Sequence, residues 1–212
     1  WQQVREIFYD CDGDTLLMGA FTSHTINAAL TPAATSFDIH KSFSHISVVG
    51  TVPLVFVVNP NVQAKSVKEL VALAKASPGS VTFASAGNGS PQHLSIEMFK
   101  RQTQVEVVHV PYKGSGPALS DLLGGQVNAM IDTVPAAQSQ IKAGKLRALA
   151  TTTKERVASI PDIATVVEAG FPDMQVSSMF ALSAPAGTPG AVIQKINSAL
   201  KVILSKQDVK DS

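Results

Sequence analysis

Short apolar segments rich in β-branched residues alternate with helical patterns along most of this chain, and the alternation restricts the folds open to it. Val81–Ser85 is typical of a strand, and a helical pattern with Leu94 and Met98 facing inward follows from about Pro91. Other strand-like runs are Thr15–Ala20, Ile46–Val58, Val105–Val110, Val127–Ile131, Leu146–Ala150 and Met179–Leu182. Repeated strand–helix–strand units of this length predict α/β architecture with parallel sheets covered by helices on both faces.

Local signals set several boundaries within this alternation. Gly50 and Pro53 interrupt Ile46–Val58, so two strands or one bent strand are expected there. Ser66 stands three residues before Glu69, the spacing of a capping box, and predicts a helix start. A long helix is predicted over about Pro189–Leu204, where apolar residues recur at helical spacing.

Composition excludes several classes of protein. The 212 residues suffice for one ordinary domain or two small ones, and 45% of them are hydrophobic, which is ample for a core. Only 16% are charged and the formal net charge is +1, so neither a basic face for nucleic acid nor an acidic tail is expected. The apolar runs are far shorter than the roughly 20 residues of a membrane span. No signal peptide is visible in Trp1–Asp10.

The residue types that carry out catalysis or hold metals are not grouped in recognisable motifs. Cys11 is the single cysteine, and neither a Gly-x-Ser-x-Gly elbow nor a phosphate-binding Gly-Lys-Ser/Thr loop occurs. The five histidines have no metal-ligand spacing; they are His24, His40, His45, His93 and His109. We therefore expect no enzyme activity, no metal and no cofactor.

The segment Ser85–Ser90, with the sequence Ser-Ala-Gly-Asn-Gly-Ser, is the strongest candidate for a binding site. In parallel sheets, ligands sit beyond the carboxyl ends of the strands, where loops lead into helix N-termini. Glycines allow the backbone to approach a ligand closely, and the following helix start supplies unpaired N–H groups for an anion. Ser85, Asn88 and Ser90 add neutral donors. The alternative is a plain turn with Ser90 as the N-cap of the helix.

Three other segments follow predicted strands in the same way. Gly19–His24 carries hydroxyl groups that could donate to a carboxylate, and its alternative is a polar connection. Asp132-Thr133 could accept from an ammonium or a hydroxyl group, although the pattern slightly favours a cap on the next helix. Lys113–Gly116 is either a loop or a contact at the rim of the site.

Seven short motifs occur in a fixed order over residues 11–212. They are Asp12–Gly19, Asn59-Pro60 with Lys65–Leu70, Val108–Ser115, Leu122–Gln126, Ile141–Leu149, Pro161–Gly170 and Ala184–Pro189. Each motif is weak alone, but together and in this order they resemble the Bug-type solute-binding receptors of tripartite tricarboxylate transporters.

The resemblance implies a two-lobed fold of the type II periplasmic-binding-protein class that closes on its ligand at a hinge. Residues 1–59 with 178–212 would form lobe 1, and residues 60–177 would form lobe 2. It also implies that the first strand and helix of lobe 1, and a further C-terminal helix, lie outside this sequence. The location would be the periplasm, and the partner would be the membrane permease of the transporter.

The resemblance also implies a ligand and the residues that hold it. The ligand would be a small organic acid in the interlobe cleft, such as a dicarboxylate, an acidic amino acid or an aromatic acid. Residues expected to contact it are Phe21, Thr22 and Ser23 in lobe 1, with Ser85, Gly87, Asn88, Gly89, Ser90, His93, Asp132 and Thr133 in lobe 2. Two other functions remain open: a ligand-sensing domain of a signalling system, and an enzyme on the same scaffold.

Overall fold

A computed structural model of the chain describes residues 15–30, 38 and 41–211, with side chains described as far as residue 209. The chain divides into two compact units. Unit 1 comprises Trp1–Thr51 and Met179–Ser212, and unit 2 comprises Val52–Ser178. The lobe boundaries of the sequence analysis stay a prediction. Cys11, His40, Trp1–Asp10 and the first half of the Asp12–Gly19 motif lie outside the described residues.

The described elements alternate as the sequence predicts. The strands are β1 (Leu17–Ala20), β2 (Phe43–Val58), β3 (Thr82–Ser85), β4 (Val108–Pro111), β5 (Ala129–Thr133), β6 (Arg147–Thr151) and β7 (Ser177–Pro185). The helices are α1 (Phe21–Leu30), α2 (Val67–Ala76), α3 (Pro91–Thr103), α4 (Ser115–Leu123), α5 (Val134–Lys142), α6 (Gly190–Ser205) and α7 (Gln207–Asp211), with a 3₁₀ turn at Pro172–Met174. Among the described residues, no helix combines the length and the apolar character needed to cross a bilayer.

The sheet of unit 2 is mixed. Strand β3 pairs in parallel with β4 and with β5, as expected for strand–helix–strand units. The end of β2 lies between β5 and β6 and runs antiparallel to both. The expectation of parallel pairing therefore holds for β3, β4 and β5 and is wrong for β2. That segment forms one continuous strand despite Gly50 and Pro53.

Unit 2 is built around two apolar layers, one on each face of this sheet. Alternate side chains of β2 point to opposite faces, so Leu54, Phe56 and Val58 join one layer while Val55 and Val57 join the other. The first layer packs against α2 and α3, and the second packs against α4 and α5. Burial on both faces explains why this stretch of β2 is continuously apolar instead of alternating.

Two helix starts in unit 2 follow their sequence signals. The Ser66 hydroxyl oxygen accepts from the Glu69 amide at 3.2 Å, and a Glu69 carboxylate oxygen accepts from the Lys65 amide at 2.8 Å. The predicted cap at the start of α2 is thus confirmed. Helix α3 has Pro91 in its first turn, where the missing N–H costs no hydrogen bond.

Unit 1 contains a smaller set of described elements. Strand β1 pairs antiparallel with β7. A small core of Ile46, Leu182 and Ala184 packs against the apolar side of α6, which begins at Gly190, one residue after the predicted start.

Candidate functional site

Three helices of unit 2 begin at one edge of its sheet. Strands β3, β4 and β5 are parallel, so their carboxyl ends lie together, and α3, α4 and α5 start shortly after them. We call this region, from Ser85, Pro111 and Thr133 to the first turns of the three helices, the carboxyl edge. A ligand site was predicted at this place, since the positive ends of helix dipoles converge there.

Two serines of the turn after β3 stabilise its shape through hydrogen bonds. The Gly87 amide donates to the Ser85 hydroxyl oxygen at 3.1 Å, and the Ser90 hydroxyl donates to the Gly87 carbonyl at 2.7 Å. Ser90 also accepts from the His93 amide at 3.2 Å, so it is the N-cap of α3, as the plain-turn alternative predicted. Both hydroxyls therefore shape the turn. Asn88 is exposed at its tip.

Gly87 and Gly89 adopt backbone conformations that other residues rarely adopt. Their φ angles are 127° and 73°, both in the left-handed region. A Cβ at position 87 would also lie 3.0 Å from the Tyr112 carbonyl oxygen in the loop after β4. The turn thus packs closely against the neighbouring loop, which explains the need for glycine at this position.

Two stacked imidazole rings support the same turn from one side. His93 and His109 have ring centroids 4.2 Å apart with planes 13° from parallel. His93 Nδ1 accepts from the Gly89 amide at 3.2 Å, and His109 Nε2 lies 2.7 Å from the Ser85 hydroxyl oxygen. His93 thus acts as an acceptor and a packing partner within the turn. The sequence pattern does not indicate His109, because only the register of β4 beside β3 places it near Ser85.

The environment of His109 favours its neutral form. Burial lowers the pKa of this imidazole below its ordinary value of 6.5, and the nearby His93 and Lys100 lower it further, while Glu97 acts in the opposite direction. The unfolded chain therefore binds protons more readily than the folded chain at mildly acid pH.

We expect the free energy of unfolding to fall as the pH drops below 6.5 and to level off below the folded-state pKa of His109. Urea denaturation at pH 7.5 and pH 5.5 measures this loss. In the His109→Gln variant the loss should be smaller than in the wild type. An equal loss in both proteins would show that other groups cause it.

Asp132 anchors a second network at the carboxyl edge. Its side chain is fully buried, and Oδ1 accepts from the Ser115 hydroxyl at 2.8 Å, the Gln92 amide group at 3.3 Å and the Thr133 backbone amide at 2.8 Å. The preference for Asp132 as the cap of α5 was wrong, because Thr133 occupies the N-cap position. Asp132 instead binds the first turns of α3 and α4.

Gln92 and Ser115, like His109, lie at the carboxyl edge but were not among the predicted site residues. Gln92 lies in the first turn of α3 and is buried, and its side-chain amide also lies 3.4 Å from the Ser115 hydroxyl oxygen. Ser115 belongs to the Lys113–Gly116 segment, whose alternatives were a loop and a rim contact. Their position in the sequence was the one signal that could have indicated them, since each lies at the start of a helix that follows a predicted strand.

Phe21, Thr22 and Ser23 lie in unit 1, whereas the other candidates lie in unit 2. They form the first turn of α1 and not a polar connection. The Thr22 hydroxyl oxygen accepts from the Met179 amide at 2.9 Å, and the Phe21 ring packs edge-on against His45 at 5.1 Å. Their role in binding, like that of the unit 2 candidates, stays a prediction.

Within residues 15–30, 38 and 41–211, no group of three or more histidine, cysteine, aspartate or glutamate side chains is arranged to hold a metal ion. The chemistry of the carboxyl edge is that of hydrogen bonding. It offers helix N-termini and neutral side chains, together with one buried carboxylate, while the Gly87, Gly89 and Thr133 amides already donate within the edge.

Comparisons with known proteins identify relatives of the whole described region. Residues 5–211 match the family model for the tripartite tricarboxylate transporter family receptor. BugT of Bordetella pertussis is 38% identical over 202 residues, which are 95% of this chain and 62% of that protein. A protein from the tcbD-tcbE intergenic region of Pseudomonas sp. strain P51 is 33% identical over 95% of this chain and 60% of its own length.

Solved structures agree with this relationship. A periplasmic transporter superposes with a TM-score of 0.89 at 36% identity, covering 98% of this chain and 69% of its own. Rpa4515 of R. palustris, solved with adipate, gives a TM-score of 0.90 at 32% identity, covering 98% of this chain and 70% of its own. The predicted fold class is therefore confirmed.

This chain spans about 60% of the length of the first curated relatives. It belongs to the tripartite tricarboxylate transporter receptor family.

Proposed function

We propose that the protein is a solute-binding receptor that captures a small organic carboxylate and delivers it to the permease of a tripartite transporter. The observation that carries the proposal is the carboxyl edge itself, where the glycine turn at residues 85–90 and the N-termini of α3, α4 and α5 come together. Such a surface favours negative charge through the helix N-termini and their dipoles. The protein works in the periplasm, the location given for the related BugD binding protein.

The ligands of two structural relatives support a carboxylate. Rpa4515 was solved with adipate, and MatC of Rhodopseudomonas palustris was solved with bound malate. MatC superposes with a TM-score of 0.86 at 30% identity and covers 98% of this chain and 70% of its own. Both ligands are small acids with a carboxylate at each end, so one end could lie at the glycine turn of a protein with this fold.

The chemistry of the edge suits reversible binding without reaction. Neutral donors and helix N-termini hold an anion without a full buried countercharge, so release does not strand an unpaired cation. The Ser85 hydroxyl lies 2.7 Å from His109 Nε2, but it is buried and also bonds to the Gly87 amide and carbonyl within the turn. The family is one of receptors. We infer that this chain binds its ligand and returns it unchanged.

Isothermal titration calorimetry with a panel of dicarboxylates, acidic amino acids and aromatic acids tests the proposal. We expect at least one acid to bind with micromolar affinity or tighter, about −8 kcal/mol. Ser85→Ala removes the acceptor for the Gly87 amide and should weaken binding. Ser80→Ala, at an exposed position whose hydroxyl donates only to the local Ser77 carbonyl, is the matched control and should bind normally.

Mass spectrometry of the acid recovered after incubation separates a receptor from an enzyme. Recovery of the unchanged acid is the expected result. Conversion of the acid would favour an enzyme on the same scaffold, and absence of binding across the panel would contradict the receptor proposal.

A further inference from the structure

The Asp132 carboxylate has one oxygen that the protein leaves without a hydrogen bond. Three donors converge on Oδ1, from Gln92, Ser115 and Thr133, whereas Oδ2 accepts from none. Among the side chains that the structure describes, Oδ2 is the one buried polar atom in this condition. The whole residue is inaccessible to solvent, so bulk water does not hydrate that oxygen.

A carboxylate oxygen that carries no proton can only accept hydrogen bonds. Burying it without a donor is unfavourable, and the penalty is larger for a charged group than for a neutral one. Among the described residues no lysine, arginine or histidine nitrogen forms an ion pair with Asp132. Neutral donors at the starts of α3, α4 and α5 serve Oδ1 alone, which leaves Oδ2 in need of a donor from outside the chain.

Asp132 also changes what the helix N-termini at this edge can accept. Without it, their partial positive charge would suit a ligand carboxylate. With it, a carboxylate brought to Oδ2 meets a like charge, whereas an ammonium or hydroxyl group finds an acceptor. The glycine turn lies close to Asp132, because Gln92, which donates to Asp132, follows Ser90 by only two residues. The Cα atoms of Ser90 and Gln92 therefore lie within about 7.6 Å of each other.

We propose that Asp132 selects small carboxylates that carry a hydrogen-bond donor beside a carboxylate, namely amino acids and hydroxy acids, over the corresponding unsubstituted acids. The carboxylate of such a ligand lies at the glycine turn, and its ammonium or hydroxyl group donates to Oδ2 of Asp132. This inference rests on the proposed function, since it names the ligand class of the same site.

A matched ligand series tests the inference on the unmodified protein. Succinate, L-malate and L-aspartate share a four-carbon diacid skeleton and differ in one substituent, which is hydrogen, hydroxyl or ammonium. Calorimetry with this series, and with the five-carbon series glutarate, 2-hydroxyglutarate and L-glutamate, should show at least tenfold tighter binding for a substituted acid than for its parent. Equal affinity within both series, or tighter binding of the parent acids, would overturn the inference.

The Asp132→Asn variant gives a sharper readout than loss of binding. Its carbonyl oxygen must stay with the three donors that Asp132 Oδ1 now serves, so its amide group replaces Oδ2 and turns an acceptor into a donor. We expect the preference for substituted acids to fall below threefold or to reverse in favour of the parent acid. Asp162→Asn, which removes the same charge at an exposed position, should keep the wild-type preference.

Failure of this inference and failure of the proposed function give different results. If no carboxylate binds to the wild type, the receptor proposal fails and the inference falls with it. If carboxylates bind without preference, the receptor proposal stands and the selection by Asp132 is wrong. The wild-type series needs no variant, so it decides the matter even where Asp132→Asn does not fold. A crystal structure of the complex should place the ligand donor within 3.2 Å of Oδ2, and water alone at that oxygen would contradict the inference.

Discussion

Gly87→Ala should weaken carboxylate binding by about 100-fold, or ~2.8 kcal/mol. Position 87 combines a φ of 127°, which an alanine rarely adopts, with a space in which Cβ would lie 3.0 Å from the Tyr112 carbonyl oxygen. The oxygen belongs to backbone and cannot rotate away, so the turn itself has to move. Movement separates the Gly87 amide from Ser85 and the Gly87 carbonyl from Ser90, the two bonds that set the shape of the turn.

The backbone strain alone should lower the free energy of unfolding by about 1–3 kcal/mol, so binding and stability must be measured together. Gly79→Ala is the control, because Gly79 has a φ of 74° but no atom within 4 Å of its Cβ position and lies outside the carboxyl edge. It should reduce stability and leave affinity unchanged. Equal affinity losses in the two variants would mean that global destabilisation, and not the shape of the turn, controls binding.

Phe99→Ala should lower the free energy of unfolding by about 3–5 kcal/mol. Phe99 is fully buried on the inner side of α3, and its ring centroid lies 5.7 Å from that of Phe56 and 5.4 Å from that of Phe83. The three rings join β2, β3 and α3, and truncation leaves a cavity between elements that cannot easily collapse. Urea denaturation monitored by circular dichroism measures the effect.

Val202→Ala provides the control for the core substitution. Val202 is 61% exposed on α6, so the loss of its methyl groups should change stability by less than about 0.5 kcal/mol. A loss below about 1 kcal/mol for Phe99→Ala would show that the first apolar layer of unit 2 is less tightly packed than the ring distances indicate.

Local signals were sufficient to predict the elements that frame the site. The glycines, Ser90 and Pro91 each favour one conformation within a few residues, so the strand, turn and helix over residues 82–103 could be predicted from the sequence. The same holds for Ser66 and Glu69 at the start of α2. In each case, a side chain bonds to backbone no more than four residues away.

The contacts inside the site could not be predicted in this way, because they join residues that are distant in sequence. His109 meets Ser85 across 24 positions, and Gln92 meets Asp132 across 40. These pairs depend on the register of β3 between β4 and β5, which the sequence pattern does not fix.

The hydroxyl-rich start of α1 was predicted wrongly for a different reason. The side chains of Thr25 and Asn27 bond to carbonyls four residues earlier, so polar residues that favour loops are accommodated in a helix.

The antiparallel placement of β2 has a consequence for how the protein is made. Its apolar end, Leu54–Val58, pairs with residues 129–133 on one side and 147–151 on the other. During synthesis on the ribosome, this five-residue run emerges about 90 residues before its last partner strand. A chain whose β-forming segment waits this long for its partners is prone to aggregate, so variants that delay or weaken pairing with residues 147–151 should lower the soluble yield.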